Sequence, residues 1–397
     1  MVLLALSKIQ MQKKLNLINS YLLDLHLKIN ISKTKFMIFR KGGHISKKIK
    51  LYIGNNQIEH TKHYTYLGLS FSETTILSQA PIQRYKKAQI ALSNLWKILV
   101  KLKIQPMLTR HRLFLSLVHS VYSYASPIWL SFTKDSIEKL QNIYARYILQ
   151  SSFLTPGYIL RRELDLIPLE VEMTLSLFKY WIHILNANHN PLLQNAYFML
   201  MNQPSSTKYN WCLYTQSKLN SLGYSFVWSI QSPNLALALL PNIKNRMIDV
   251  AMQEDLSRID YSSHYPNYAK LNACGKSSFL LNFSIPLHLL RTISQIRIHG
   301  FPITVDRNFT FLSYSSICKF CPSSRCSESL FHILIICPHF SNLRQSQDFI
   351  DLNLPTNFFC FTNYFKFIPL HNLYRFAKVL TSFFKERQLG LNTLTDL

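Results

Sequence analysis

The sequence predicts an α+β, mostly helical protein, with a small antiparallel sheet near the N-terminus, helices behind it and a small metal lobe near the C-terminus. Three observations predict this. Strand-like runs punctuated by turn residues lie between residues 35 and 71, and helical periodicity takes over from residue 81. Cys318, Cys321, His332 and Cys337 then stand as C-x2-C-x10-H-x4-C.

The elements follow in order. Met11, Leu15, Ile18, Leu22 and Leu25 recur at alternating spacings of four and three, which marks the apolar face of a core-packing helix over Lys8 to Lys28. The runs Lys35 to Phe39, Ile49 to Ile53 and Tyr64 to Phe71 read as strands, with Gly42-Gly43 and Gly54-Asn55-Asn56 as turns. Pro81 suits the first turn of a helix that Ile82, Tyr85, Ala88, Leu92, Leu95 and Leu99 continue. A second helix is expected from Thr109 to Tyr124, before Pro127. A third is expected from Asp135-Ser-Ile-Glu138, a sequence resembling a capping box. Leu164 to Leu185 is the best helical stretch beyond residue 150, and Asn, Ser and Pro clusters break the pattern near 186 to 206 and 231 to 234. A short helix from Leu330 to Ile336 presents His332. Phe358, Phe359, Phe361, Tyr364, Phe365 and Phe367 suggest a packed C-terminal cap.

Charge narrows the partners. The chain has 44 Lys or Arg against 19 Asp or Glu, a net charge of +25, and the first 150 residues hold 23 of the bases but 5 of the acids. Such an imbalance is the footprint of a polyanion binder. No acid occurs between 74 and 134, where Arg84, Lys86, Lys87, Lys97, Lys101 and Lys103 interleave with Tyr85 and Trp96. Phosphate pairing and base stacking are both available there.

Other classes are excluded or weakened. With 9 Gly the chain has neither G-x-x-x-x-G-K-[ST] nor G-x-G-x-x-G. No window provides the roughly 18 uninterrupted apolar residues of a membrane span, and Val2 to Ala5 is too short for a secretory signal. The chain reads as intracellular, in nucleus or cytoplasm. Seven Cys fit reduced thiols and a metal site better than a disulfide framework.

Three thiolates and an imidazole suit tetrahedral Zn2+, and four protein ligands leave no open position for a catalytic water, so the site reads as structural. Cys326 or His339 could replace one of the four, and the competing reading is a group of buried thiols. Paired acids are scarce. Glu254-Asp255 cannot share one helix face, and Asp24, Asp165, Asp260 and Asp306 stand alone, so solvated or capping roles are expected for them. Glu59, His60 and His63 could form a ligand trio but read as solvated.

Met1-Val-Leu-Leu-Ala5, Leu27-Lys-Ile-Asn30, Lys33-Thr-Lys-Phe-Met-Ile-Phe39, Ile58-Glu59 and Tyr66-Leu-Gly68 together resemble the end of the palm of non-LTR (LINE-type) retrotransposon reverse transcriptases. Lys87-Ala88, Leu113 to Leu117, Tyr124 to Trp129, Ile137 to Gln141, Arg162 to Leu169, the Cys/His motif, Pro338 and Arg344 follow in the same order. The resemblance implies a palm end over 1–80, a helical thumb over 81–150, a helix-rich linker over 151–310, a CCHC zinc knuckle over 311–345 and an aromatic tail over 346–397. It implies that Lys33 lies near the incoming nucleotide's phosphates and that Tyr66, Leu67 and Gly68 grip the primer end. The thumb would hold an RNA and DNA template-primer duplex, with structural Zn2+ in the knuckle and Mg2+ confined to the intact parent enzyme.

The paired aspartates that precede the Met-Val-Leu-Leu-Ala segment in that family are not in this sequence. Without them the phosphoryl-transfer transition state lacks its metal clamp, and the expectation is a truncated RNA-directed DNA polymerase that is inactive alone. A non-catalytic, transposon-derived nucleic-acid-binding protein is the alternative. A protein-interaction module built on the aromatic tail is a third reading.

Overall fold

The computed structural model describes residues 2–40, 42–43, 49–74, 77–133, 137–187, 189–203, 210–262, 265, 268, 285–299, 318–321, 329–366, 368 and 370–395. Asp306, Cys326, Phe367 and the Asp135-Ser136 helix start lie outside the described residues.

Helix α1 (Lys8–Asp24) begins where Ser7 Oγ accepts the Gln10 amide, an N-cap. Of its predicted apolar face only Leu15 is buried; Met11, Ile18 and Leu22 are half-buried and Leu25 is exposed. The reason is a shortage of partners, since this part of the chain offers a core of only Leu15, Leu51, Ile53 and Ile58.

The strands are short: β1 (Lys35–Phe36), β2 (Tyr52–Ile53), β3 (Asn56–Gln57), β4 (Glu59–His60), β5 (His63–Tyr66) and β6 (Leu69–Ser72). They form three separate pairs, β1 with β4 in parallel, and β2 with β3 and β5 with β6 antiparallel, where one antiparallel sheet was expected. Each strand is only two to four residues long and pairs with a single neighbour. The run from Tyr64 to Phe71 is a hairpin in which Tyr66 pairs with Leu69 across Leu67-Gly68. Both turn residues have positive φ, 47° and 76°, the pattern of a type I′ turn.

Of the predicted face, helix α2 (Ala80–Lys101) buries Ala88, Leu92, Leu95 and Leu99, each Leu contributing about 1.5–3 kcal/mol of burial, while Tyr85 is half-buried and Ile82 is exposed. The second predicted helix is α3 (Met107–Phe114), a π turn (Leu115–His119) and α4 (Ser120–Ser123). After α5 (Ser126–Trp129) comes α6 (Lys139–Leu149).

Asp135, the other half of the predicted capping box, lies outside the described residues, and Glu138 has a further partner. Its carboxylate accepts the Leu169 and Glu170 amides at 3.1 and 3.0 Å and so caps a different helix, α8 (Leu169–Leu185). The predicted helix from Leu164 to Leu185 is likewise divided. Asp165, at φ 52°, ends α7 (Gly157–Leu164), and Pro168 precedes α8. Asn190 caps α9 (Pro191–Met201), Asn210 caps α10 (Trp211–Ser221), and after α11 (Ser225–Ile230) Ser232 caps α12 (Pro233–Asp260). The caps at Asn190 and Ser232 fall in the breaks the sequence predicts, but the first of these, 186–206, itself holds α9 (Pro191–Met201).

The C-terminal part comprises α13 (Leu287–His299), a π turn at His332–Ile336, α14 (Ser341–Arg344), α15 (Gln347–Ile350), α16 (Phe358–Lys366) and α17 (Leu370–Thr395). Helix α13 packs against both α6 and α17, so one hydrophobic core runs from Leu69 through α2, α6 and α13 to Ile333, Phe340 and Phe383. A second core, centred on Trp181, Trp228 and Ile243, sits between α8 and α12. Among the described residues no helix is long and apolar enough to cross a membrane.

Candidate functional site

Four ligand atoms converge at the C-terminal end of the larger core. Cys318 and Cys321 come from one short turn, His332 opens the π turn, and Cys337 closes it. Cys318 Sγ lies 3.8 Å from Cys337 Sγ, and Cys321 Sγ lies 3.7 Å from Cys337 Sγ and 3.3 Å from His332 Nε2. All four atoms lie within 4.8 Å of one another, so the group can hold a metal ion.

The surroundings hold these ligands in place. Ser329 Oγ accepts the His332 amide at 3.1 Å, and Cys337 N donates to His332 O at 2.7 Å, which closes the turn. Arg344 donates to Cys337 O at 2.6 Å. Burial, with the neighbouring Cys318 and Cys321 thiols adding to it, pushes the Cys337 thiol up to about 12. A bound cation reverses that preference by stabilising the thiolate. His339, the alternative ligand, instead stacks on Phe320 with ring centroids 4.3 Å apart. Gly390 of α17 packs on the same pair: a Cβ there would lie 2.7 Å from Phe320 and 3.1 Å from His339.

The second candidate is the outer face of α2. At 100° per residue, Lys86, Lys87, Lys97 and Lys101 fall within one arc of about 100°, together with Gln83, Ile90 and Asn94. All four lysines are exposed, and the helix contains no acid. Lys103 is exposed just beyond the C-terminus. None of these lysines enters an ion pair among the described residues.

Arg84 departs from the predicted basic face. It is 7% exposed, its Nη2 donates to Gly68 O at 2.8 Å, and its guanidinium lies 4.2 Å from the Tyr124 ring centroid. Tyr124 Oη donates in turn to Leu67 O at 3.1 Å. The Tyr66-Leu67-Gly68 turn is thereby fastened to α2 and to the end of α4, and Arg84 is used inside the fold. The aromatic partners are also committed. Trp96 stacks on Tyr147 at 3.9 Å and Tyr85 packs edge-on to Tyr122 at 6.2 Å, so neither ring is presented as an open stacking platform.

Lys33 is exposed in a turn closed by Asn30, whose Oδ1 accepts the Lys33 amide at 3.1 Å. His60 Nε2 lies 2.5 Å from the buried carboxylate of Glu73, while Glu59 pairs with Lys35, so Glu59, His60 and His63 form no ligand trio.

Two acids have roles that local sequence does not reveal. Asp255, expected to be solvated, is buried in a two-pronged pair with Arg161 at 2.9 and 2.5 Å. Glu163 is fully buried, holds Arg297 at 3.2 Å and accepts the Tyr268 hydroxyl at 3.0 Å. Helix α7 is thus fastened to α12 by one pair and to α13 by the other. Comparison with protein-family models, curated proteins and solved structures finds no match to this chain.

Proposed function

We propose that this chain carries the template-primer-binding part of a non-LTR retrotransposon reverse transcriptase. The observation that carries the reading is the outer face of α2, an acid-free row of exposed lysines along a 22-residue helix. A merely solvated face ordinarily mixes both signs, whereas a row of one sign matches a phosphate backbone. The β5–β6 turn supports the assignment. In the resembling enzymes the Tyr66-Leu67-Gly68 segment grips the primer end, and here it is locked to α2 through Arg84. Lys33 would serve the incoming nucleotide's phosphates only in the intact enzyme.

The metal centre is proposed to be structural zinc. Three thiolates and an imidazole are the donor set zinc prefers, and the 3.3–3.8 Å separations match the edges of a tetrahedron with bonds of about 2.0–2.3 Å. With its four ligands supplied by the protein, the ion would hold the turn against α17 and leave no position for a reactive water.

The test is fluorescence anisotropy of a labelled RNA/DNA duplex titrated with purified chain at several salt concentrations. The reading requires affinity that falls linearly in log salt. Absence of binding at low salt would overturn it.

A further inference from the structure

A cleft of about 480 Å³ opens at the C-terminal end of α2, lined by Val100, Gln105, Arg110, Tyr147, Gln150, Leu287, His288 and Arg291. It adjoins a second hollow of about 370 Å³ that shares Gln105 and His288. Among the described residues no carboxylate lines the cleft, and two guanidiniums do. Each is held from behind by a backbone carbonyl. Arg110 Nε donates to Ile104 O at 2.7 Å, and Arg291 Nε donates to Ile148 O at the same distance. A weaker contact joins Arg291 Nη2 to Tyr147 O at 3.4 Å. Among the described residues, both terminal nitrogens of Arg110 and Nη1 of Arg291 have no protein partner.

A buried cation, Arg110, and a half-buried one, Arg291, face one cleft and repel each other. Burial first, and the charge of Arg110 second, press Arg291 down to about 10. Buried positive charge is ordinarily paired, and no carboxylate among the described residues does the pairing here. Helix geometry adds to the field. Helix α13 opens at Leu287 and His288 in the cleft wall, and α3 begins directly after Gln105 and Pro106, so two helix N-termini border the site.

The geometry points to a phosphate-binding site in this cleft, with Arg110 and Arg291 as paired forks on one phosphate group. Two guanidiniums fixed at Nε present their remaining N–H groups in the planar arrangement that suits phosphate oxygens. Val100 belongs to both α2 and the cleft, and Lys101 and Lys103 follow it, so the site continues the lysine row. The phosphate would come from a nucleic-acid strand on α2 or from a free phosphate compound. The first source rests on the strand-binding reading.

The experiment uses the full chain and two probes, inorganic phosphate and a short fluorescein-labelled RNA strand. Protection of Arg110 and Arg291 from phenylglyoxal, read by mass spectrometry on the unaltered protein, requires no variant to fold. Protection of both arginines by phosphate or by RNA is the expected result; protection by neither overturns the site. Arg110→Gln, checked for an unchanged circular dichroism melt, is expected to weaken RNA binding about tenfold. If phosphate protects while RNA binds nowhere, the site stands with a free phosphate compound as ligand and the strand-binding reading fails. If RNA binds in a way that Lys97→Gln weakens and Arg110→Gln does not, with no protection of either arginine, the strand-binding reading stands and the cleft inference fails.

Discussion

Arg84 Nη2 donates to the Gly68 carbonyl across 2.8 Å, and a Cβ on Gly68 would lie 2.9 Å from that same nitrogen. The glycine is needed twice, once for φ of +76° and once for the approach of the guanidinium. Gly68→Ala is therefore expected to cost about 1–3 kcal/mol, measured by urea unfolding. Arg84→Gln should also lower stability while leaving the salt dependence of RNA binding unchanged. A reduced salt slope would place Arg84 on the phosphates after all.

Glu163 and Arg297 are both buried, and Tyr268 completes their network. Glu163 holds both Arg297 and Tyr268 in this buried network, so Glu163→Ala should destabilise by about 3–5 kcal/mol in denaturant. A double variant, Glu163→Leu with Arg297→Met, should recover part of that loss because the buried charge pair is replaced by apolar side chains.

His111 is driven down to about 4 by burial first and by the nearby His119 second. Its folded form stays neutral while the unfolded chain takes up a proton near the ordinary value of 6.5. Between those values the unfolded state binds more protons, so stability falls as pH drops from about 6.5 toward 4, by up to about 3 kcal/mol. His111→Gln should flatten the stability profile across that window, and an unchanged profile would remove His111 as its source.

Chelation tests the metal centre. Cys318, Cys337 and Ile333 share one core with α13 and α17, so metal loss is expected to lower the melting temperature of the whole chain by at least roughly 5 °C. Elemental analysis should give about one zinc per chain, and Cys318→Ser should remove it. Zinc-free protein with an unchanged melt would leave a cluster of buried thiols.

Legibility followed distance along the chain. The Cys/His group could be recognised because its four ligands lie within 20 residues, and α2 because its apolar spacing repeats over several turns. Arg161 and Asp255 are 94 positions apart, Glu163 and Arg297 are 134 apart, and neither pair leaves a local pattern. Arg84 was read with its lysine neighbours because composition does not tell an inward-facing cation from an outward-facing one. Its position in the Ala80, Pro81, Ala88, Leu92 phase of α2 carried that information. Glu138 was assigned to the nearest helix, whereas folding gave its carboxylate to α8.

The central claim is that the lysine row of α2 binds a phosphate backbone. It is tested most directly by the slope of log affinity against log salt for an RNA/DNA duplex, measured for the chain and for Lys86→Gln/Lys97→Gln/Lys101→Gln. At about 0.9 per phosphate contact, the slope should shrink by about 2 to 3 while each exposed substitution changes stability by less than about 0.5 kcal/mol. Equal slopes for the two proteins would contradict the account.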